Sequence, residues 1–143
     1  MKKIVRHTLS LIVCMTAVVL LSGCEKLTAP TIENTSVVEV TPGVINAKAT
    51  MTSKEIDDYG LIYSSKNSSP TINSKEGEIK GTLEGSDFSA EVTLKTNTTY
   101  YFVFYATNEV GTTYSTAYKI TTSLYKPGKD DNPFPNLKRT ESP

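Results

Sequence analysis

The stretch from Leu94 to Gly111 reads LKTNTTYYFVFYATNEVG, and its period of two decides the fold. Tyr100, Phe102, Phe104 and Ala106 fall on one side, and Tyr101, Val103 and Tyr105 on the other. An extended chain sends successive side chains to opposite faces, whereas a helix needs an apolar repeat near 3.6 residues. Asn108-Glu109-Val110-Gly111 follows as a tight hairpin between two aromatic-rich strands.

The same logic holds on the N-terminal side. In Val44 to Met51, Ile45, Ala47, Ala49 and Met51 alternate with Asn46, Lys48 and Thr50; in Asp87 to Lys95, Phe88, Ala90, Val92 and Leu94 alternate with Ser89, Glu91, Thr93 and Lys95. Each pattern is that of a strand with one face buried and one wet. Thr41-Pro42-Gly43 places Pro and Gly as a type II turn requires, while Lys66 to Pro70 and Glu84 to Asp87 are further turn clusters. Seven strands are expected: Thr31 to Val40, Val44 to Met51, Asp58 to Ser64, a short one near Glu76 to Gly81, Asp87 to Lys95, Thr99 to Asn108 and Thr113 to Thr122. No stretch between Pro30 and Ser123 sustains a helical apolar period, so the expected class is all-β, a single seven-stranded antiparallel sandwich over residues 30–123. Its expected core is Ile32, Val38, Val40, Ile45, Ala47, Ala49, Met51, Phe88, Ala90, Val92, Leu94, Tyr100, Phe102, Phe104, Ala106 and Ile120. Residues 124–143 carry four prolines, mixed charge and few apolar residues, the composition of a flexible tail.

The run from Leu94 to Gly111 also resembles the E to F corner and F strand of fibronectin type III domains. Asp57 to Ser64 (DDYGLIYS) together with Thr98 to Ser115 is similar to the short Ig-like modules of lipoproteins from gut-associated Gram-negative bacteria. The resemblance implies that Tyr100 is the tyrosine-corner residue, its hydroxyl bonding to the chain just upstream, and that Asn108 and Gly111 set the F to G turn. Two features depart from the family: there is no Trp for the strand B core position, and Thr96 stands where a Pro is common.

The N-terminus has its own logic. Lys2, Lys3 and Arg6 precede an apolar run, Leu9 to Leu21, of 13 residues. A bilayer core needs roughly 20, so residues 1–23 read as a secretory signal to be removed. The run ends in Leu21-Ser22-Gly23-Cys24, which resembles the bacterial lipobox. That resemblance implies cleavage before Cys24 and covalent attachment of diacylglycerol and an acyl chain there, with residues 24–29 as tether. At ~0.8 kcal/mol per buried CH2, several chains anchor stably where one does not. The expected location is the outer membrane, on its periplasmic or its cell-surface face.

Processing narrows the chemistry. The chain holds two Cys and one His; Cys14 and His7 leave with the leader and Cys24 is acylated. The mature chain then has no disulfide, no imidazole general base and no His- or Cys-bearing zinc site. Removal of the three basic leader residues leaves 12 basic against 15 acidic groups, a net charge of −3, which gives no drive toward nucleic acid. No cofactor other than the lipid, no metal and no enzymatic activity are expected. The carboxylate pairs Asp57/Asp58, Glu76/Glu78 and Asp130/Asp131 read as solvated charge, since nothing builds a cleft around them. The Asn-X-Ser/Thr triplets at Asn34, Asn67 and Asn97 read as turn chemistry.

One face remains as a candidate binding surface. With Phe102 and Phe104 inward, Tyr101 and Tyr105 point outward, and Tyr63 and Tyr114 on the flanking strands can lie beside them. Such a cluster would stack on a sugar or dock a protein; alternatively these are cross-strand pairs that stiffen the sheet. The expected function is a lipid-anchored, non-catalytic interaction or spacer module of the cell envelope, mediating protein contacts or adhesion. The alternative is a glycan-binding accessory lipoprotein of a polysaccharide-uptake system that uses the tyrosine face.

Overall fold

A computed structural model of the protein describes residues 26–126, and these form nine strands in two antiparallel sheets. The strands are β1 (Thr31–Thr41), β2 (Val44–Thr52), β3 (Asp58–Ser64), β4 (Gly77–Ile79), β5 (Thr82–Glu84), β6 (Asp87–Thr93), β7 (Thr99–Asn108), β8 (Gly111–Tyr114) and β9 (Tyr118–Thr121). One sheet has the order β1-β2-β6-β5. The other has the order β4-β3-β7-β8, with β9 also paired to β7. The inward positions of β2, β6 and β7 meet in one core: Ile45, Ala47, Ala49 and Met51 from the first sheet lie against Leu61, Phe102, Phe104 and Ala106 from the second. Phe88 crosses the gap and meets Phe104 edge-on at 5.8 Å between ring centres. Each large side chain of this kind contributes ~1.5 to 3 kcal/mol on leaving water.

The strand count corrects the expected seven in two places. The short strand placed at Glu76 to Gly81 is β4 alone; the chain then crosses at Lys80-Gly81 to the other sheet, where β5 pairs with β6. Gly81 permits the crossing because its φ is +59° and a Cβ there would sit 2.5 Å from Ser89 O. The last strand is interrupted at residues 115–117, where Ser115 Oγ accepts from Phe104 N and Ser115 N donates to Phe104 O. A side-chain hydroxyl has taken the place of a ladder carbonyl, and β8 and β9 are the two halves.

The phase of β1 also needs correction. Ile32 packs on the core as expected, but Val38 and Val40 are 50% and 51% exposed, and Val37, at 8%, is the buried one. Between Glu33 and Ser36, β1 advances three residues while β2 advances two, and Asn34 adopts φ +48°. This bulge inserts one residue and flips the side chains from Ser36 to Glu39 to the other face; a second irregularity follows between Glu39 and Thr41.

The turns behave as their residues dictate. Gly43 closes the β1–β2 hairpin with φ +82°, the value a type II turn demands at its third position. Asn108 Oδ1 accepts from Val110 N and Gly111 N and so shapes the β7–β8 turn. Asn97 holds positive φ between strands and Asn67 Oδ1 accepts from Ser69 N, so these two Asn-X-Ser/Thr triplets serve turns, whereas Asn34, also with positive φ, lies at the bulge inside β1 and not in a turn. At the corner before β7, Tyr100 is buried against Tyr63 and Phe102. The hydrogen bonds that close this corner come from threonines: Thr122 Oγ1 donates to Lys95 O and accepts from Thr98 N, and Thr98 Oγ1 donates to Thr96 O.

Candidate functional site: the outer face of the β3–β7 sheet

Tyr101, Val103 and Tyr105 alternate with the core residues of β7 and lie on the outer face of its sheet. The register sets their neighbours: Tyr105 stands between Gly60 of β3 and Tyr114 of β8, Val103 beside Ile62, and Tyr101 between Ser64 and Lys119. Tyr63 is directly opposite Phe102. Opposed residues in an antiparallel pair share a face, so Tyr63 is inside, its ring 5.8 Å from that of Tyr100. Burial, and then the charge of Glu76, raise the Tyr63 phenol above its ordinary value.

Tyr105 is on the expected face yet fully buried, at 0% exposure. Two features bury it. Gly60 has no side chain, and the Tyr105 ring lies across that gap, its Cε1 3.0 Å from where a Gly60 Cβ would be. The ring thereby reaches past β3 to the β4 edge. The loop between β3 and β4, residues 65–76, then folds back over the sheet, and Ile72 packs on Ile62, Val103 and Tyr105 as a second, smaller core. Ser74 Oγ accepts from Asn67 Nδ2 and Thr71 N, Glu76 Oε2 accepts from Ser65 N and Ser65 Oγ, and the Tyr114 hydroxyl accepts from Ile72 N at 3.4 Å. Ser65, Asn67, Thr71 and Ser74 therefore bond within the loop itself.

Beyond Gly60 the Tyr105 hydroxyl meets a charged cluster. It donates to Glu78 Oε1, lies 3.2 Å from Asp58 Oδ2 and accepts from Lys80 Nζ at 2.5 Å. Lys80 also pairs with Asp58 at 2.6 Å and with Glu78 at 2.5 Å, and Lys75 pairs with Glu78. The cluster balances two acids with two bases. Hydrogen bonds from Lys75, Lys80 and Tyr105 hold the Glu78 carboxyl down to about 2. Burial pulls the Lys80 ammonium down, but bonds to Asp58, Glu78 and Tyr105 outweigh it and raise the group above its usual range. Burial, followed by the bond to Glu78, pushes the Tyr105 phenol upward. Glu78, Lys80 and Tyr105 are thus each moved away from neutrality, where a general acid or base would have to titrate. The arrangement fastens β4 to β3 and β7.

Of the four candidate tyrosines, Tyr114, at 39% exposure, and the half-buried Tyr101 reach the surface on the outer face, Tyr105 is fully buried there, and the half-buried Tyr63 packs on the core at the inner face. The other carboxylates separate: Asp57 sits in the β2–β3 loop and Glu76 is bonded to Ser65. Asp130 and Asp131 lie outside the described residues, as do the leader, Cys24 and the tail beyond residue 126. The outer face of the other sheet carries an open groove of about 510 Å³ lined by the polar Lys48, Thr50, Thr82, Glu84, Asp87 and Ser89. Among the described residues, no three His, Cys, Asp or Glu side chains converge as metal ligands, and no helix is long and apolar enough to cross a membrane.

Sequence reasoning missed the meeting of Asp58, Glu78, Lys80 and Tyr105. The signal that could have found it is Gly60, the one position of β3 that leaves room for a ring to cross. No family model matches the chain, and no curated protein matches it.

Proposed function

We propose that the protein is a lipid-anchored spacer or interaction module of the cell envelope, acylated at Cys24, with an Ig-like domain of fibronectin type III kind and no catalytic role. The strand orders β1-β2-β6-β5 and β4-β3-β7-β8 support the Ig-like reading, with β4 and β5 as two short strands on either side of a crossing and β8 and β9 as halves of one. One observation carries the spacer function: the chain enters and leaves the domain at opposite ends. Thr31, where β1 begins, pairs with Thr52 beside the β2–β3 loop. Ser123, just past β9, is held at the other end by Glu39, which also accepts from Gly43 N in the β1–β2 turn. An in-line module of this kind holds the segment on its C-terminal side away from the anchor on its N-terminal side. Among the described residues, the glycan-binding alternative retains only Tyr101 and Tyr114 as surface aromatic rings on this face.

Two measurements test the reading. Wild-type protein from membranes should partition into a detergent phase and show a fatty-acylated N-terminal Cys24 by mass spectrometry, while Cys24→Ser stays aqueous; an unmodified amino end overturns the anchor. On a glycan array the acylated protein should bind no sugar saturably. Saturable binding abolished in a Tyr101→Ala, Tyr114→Ala double variant would establish the glycan alternative instead. Protease accessibility on intact cells assigns the periplasmic or the cell-surface face.

A further inference from the structure

The end of the tether and the residue just after it are fastened to one end of the domain. Asn108 Nδ2 donates to Thr28 O and Thr113 Oγ1 donates to Pro30 O, each at 2.7 Å. Pro30 and Asn108 are both buried, and Asn108 is fixed in turn by its bonds to Ser53, Val110 and Gly111. The chain therefore arrives pinned against the β7–β8 hairpin. Thr28 is four residues from Cys24, and an extended chain spans at most ~3.3 to 3.6 Å per residue, so the backbone between the lipid attachment residue and Thr28 can span no more than about 14 Å. The nine steps between the ten residues of β7, at ~3.4 Å each, make the domain about 30 Å long in the strand direction. The pinned tether reaches less than half that length.

We infer that the domain stands on its β2–β3 and β7–β8 end, with that end facing the phospholipid surface and the β1–β2 turn and the start of the β3–β4 loop at its outermost part. The orientation rests on acylation of Cys24 and adds to it which surface meets the bilayer. It comes from the tether and not from charge: the near end carries Lys54 against Glu55, Asp57 and Glu109, an excess of acid that anionic headgroups do not attract. Its exposed apolar tip is Val110. The β2–β3 and β7–β8 loops are consequently screened by the membrane. A partner approaching from outside meets residues 65–76, with Lys66 and Lys95 close enough to Glu76 to act on its charge, and the point where the chain leaves at Ser123.

The test uses the acylated full chain, which on this reading has no free thiol of its own. Single substitutions Val110→Cys at the near end, Ser68→Cys in the β3–β4 loop and Lys48→Cys on the other sheet each carry one fluorophore. The proteins are reconstituted into phosphatidylcholine and phosphatidylglycerol vesicles that contain an energy acceptor on a lipid headgroup. Transfer should be strong from position 110, intermediate from 48 and weak from 68. Equal transfer from 110 and 68, or strongest transfer from 48, overturns the upright orientation in favour of a swinging or a lying domain. Flotation with the vesicles separates the two proposals: protein that fails to float overturns the anchor and the orientation together, whereas protein that floats with the wrong pattern overturns the orientation alone. Thr113→Val, which removes one pin at little cost to the fold, should narrow the difference between positions 110 and 68. An unchanged difference overturns the role given to the pinned tether.

Discussion

At Tyr105 the chemistry of one residue decides how the candidate face behaves. Its ring completes the small core under Ile72, and its hydroxyl joins Asp58, Glu78 and Lys80. Tyr105→Phe keeps the ring and removes the hydroxyl, so it should lower stability by about 1.5 to 3 kcal/mol, the range for a hydrogen bond to a charged partner. Tyr105→Ala should cost about 3 to 5 kcal/mol by opening a cavity. Urea unfolding of both variants checks the order, and equal losses would show that the ring carries nothing. Glu78 supplies a second expectation. Its folded carboxyl is held at about 2 against an ordinary 4.5, so between those values the unfolded chain binds more protons than the folded one. The stabilisation is present above pH 4.5 and is lost as pH falls toward 2. Lys75→Met removes the strongest partner lowering Glu78 and should flatten the pH dependence of stability across that window, as followed by denaturant midpoints. The outward position of Tyr105 was legible from period two alone. Its cover was not, because Ile72 lies 33 positions away in the sequence and the loop that carries it looks polar.

At the scale of elements, β2, β6 and β7 were legible because one face of each is buried and the alternation is unbroken. β1 was legible only up to Asn34: a bulge alters which residues face the core without altering composition, and alternation in TSVVEV favours Val38 and Val40 inward over Val37. The corrected phase makes a sharp prediction. Val37→Asp places a charge in the core and should prevent folding, whereas Val38→Asp and Val40→Asp, at half-exposed positions, should change stability by about 0.5 kcal/mol or less. Circular dichroism melts of the three distinguish the structure's phase from the simple alternation, which demands the reverse order. The crossing from β4 to β5 is tested by two glycines of similar φ. Gly81 and Gly85 both have φ near +60°, but a Cβ at Gly81 meets Ser89 O and the Phe88 ring, while one at Gly85 meets nothing within 4 Å. Gly85→Ala should therefore cost only the conformational penalty, about 1 to 2 kcal/mol. Gly81→Ala should cost clearly more and displace β5 from β6. If their unfolding midpoints fall equally, the close packing at the crossing is not what holds it.

For the whole molecule, the number and direction of strand passages determine where the two ends of the domain lie; the antiparallel all-β class was legible in advance, the division into nine strands was not. Odd passages of strand carry the chain from one end to the other, and splitting one strand into two collinear pieces leaves that parity intact. What pattern could not show is how the ends are secured. Residues outside the regular strands do this, through hydrogen bonds between positions about 80 apart in sequence, such as Asn108 with Thr28 and Ser123 with Glu39. Thr122 belongs to no strand yet is buried, and its backbone and hydroxyl join Asn97, Thr98 and Lys95. The limits of the folding unit should therefore lie outside the limits of the strands. A chain ending at residue 121 keeps every strand but loses Thr122 and Ser123. It should be less stable than one ending at 126 by about 2 to 4 kcal/mol, the sum of a few bonds at ~1 kcal/mol each and the exposure of the corner they close. Thr122→Val in the longer chain keeps the shape and the backbone bonds and removes only the hydroxyl, so it should reproduce roughly half of that loss. Equal stability of the chains ending at 121 and 126 would mean that the β7 corner closes without the residues after β9.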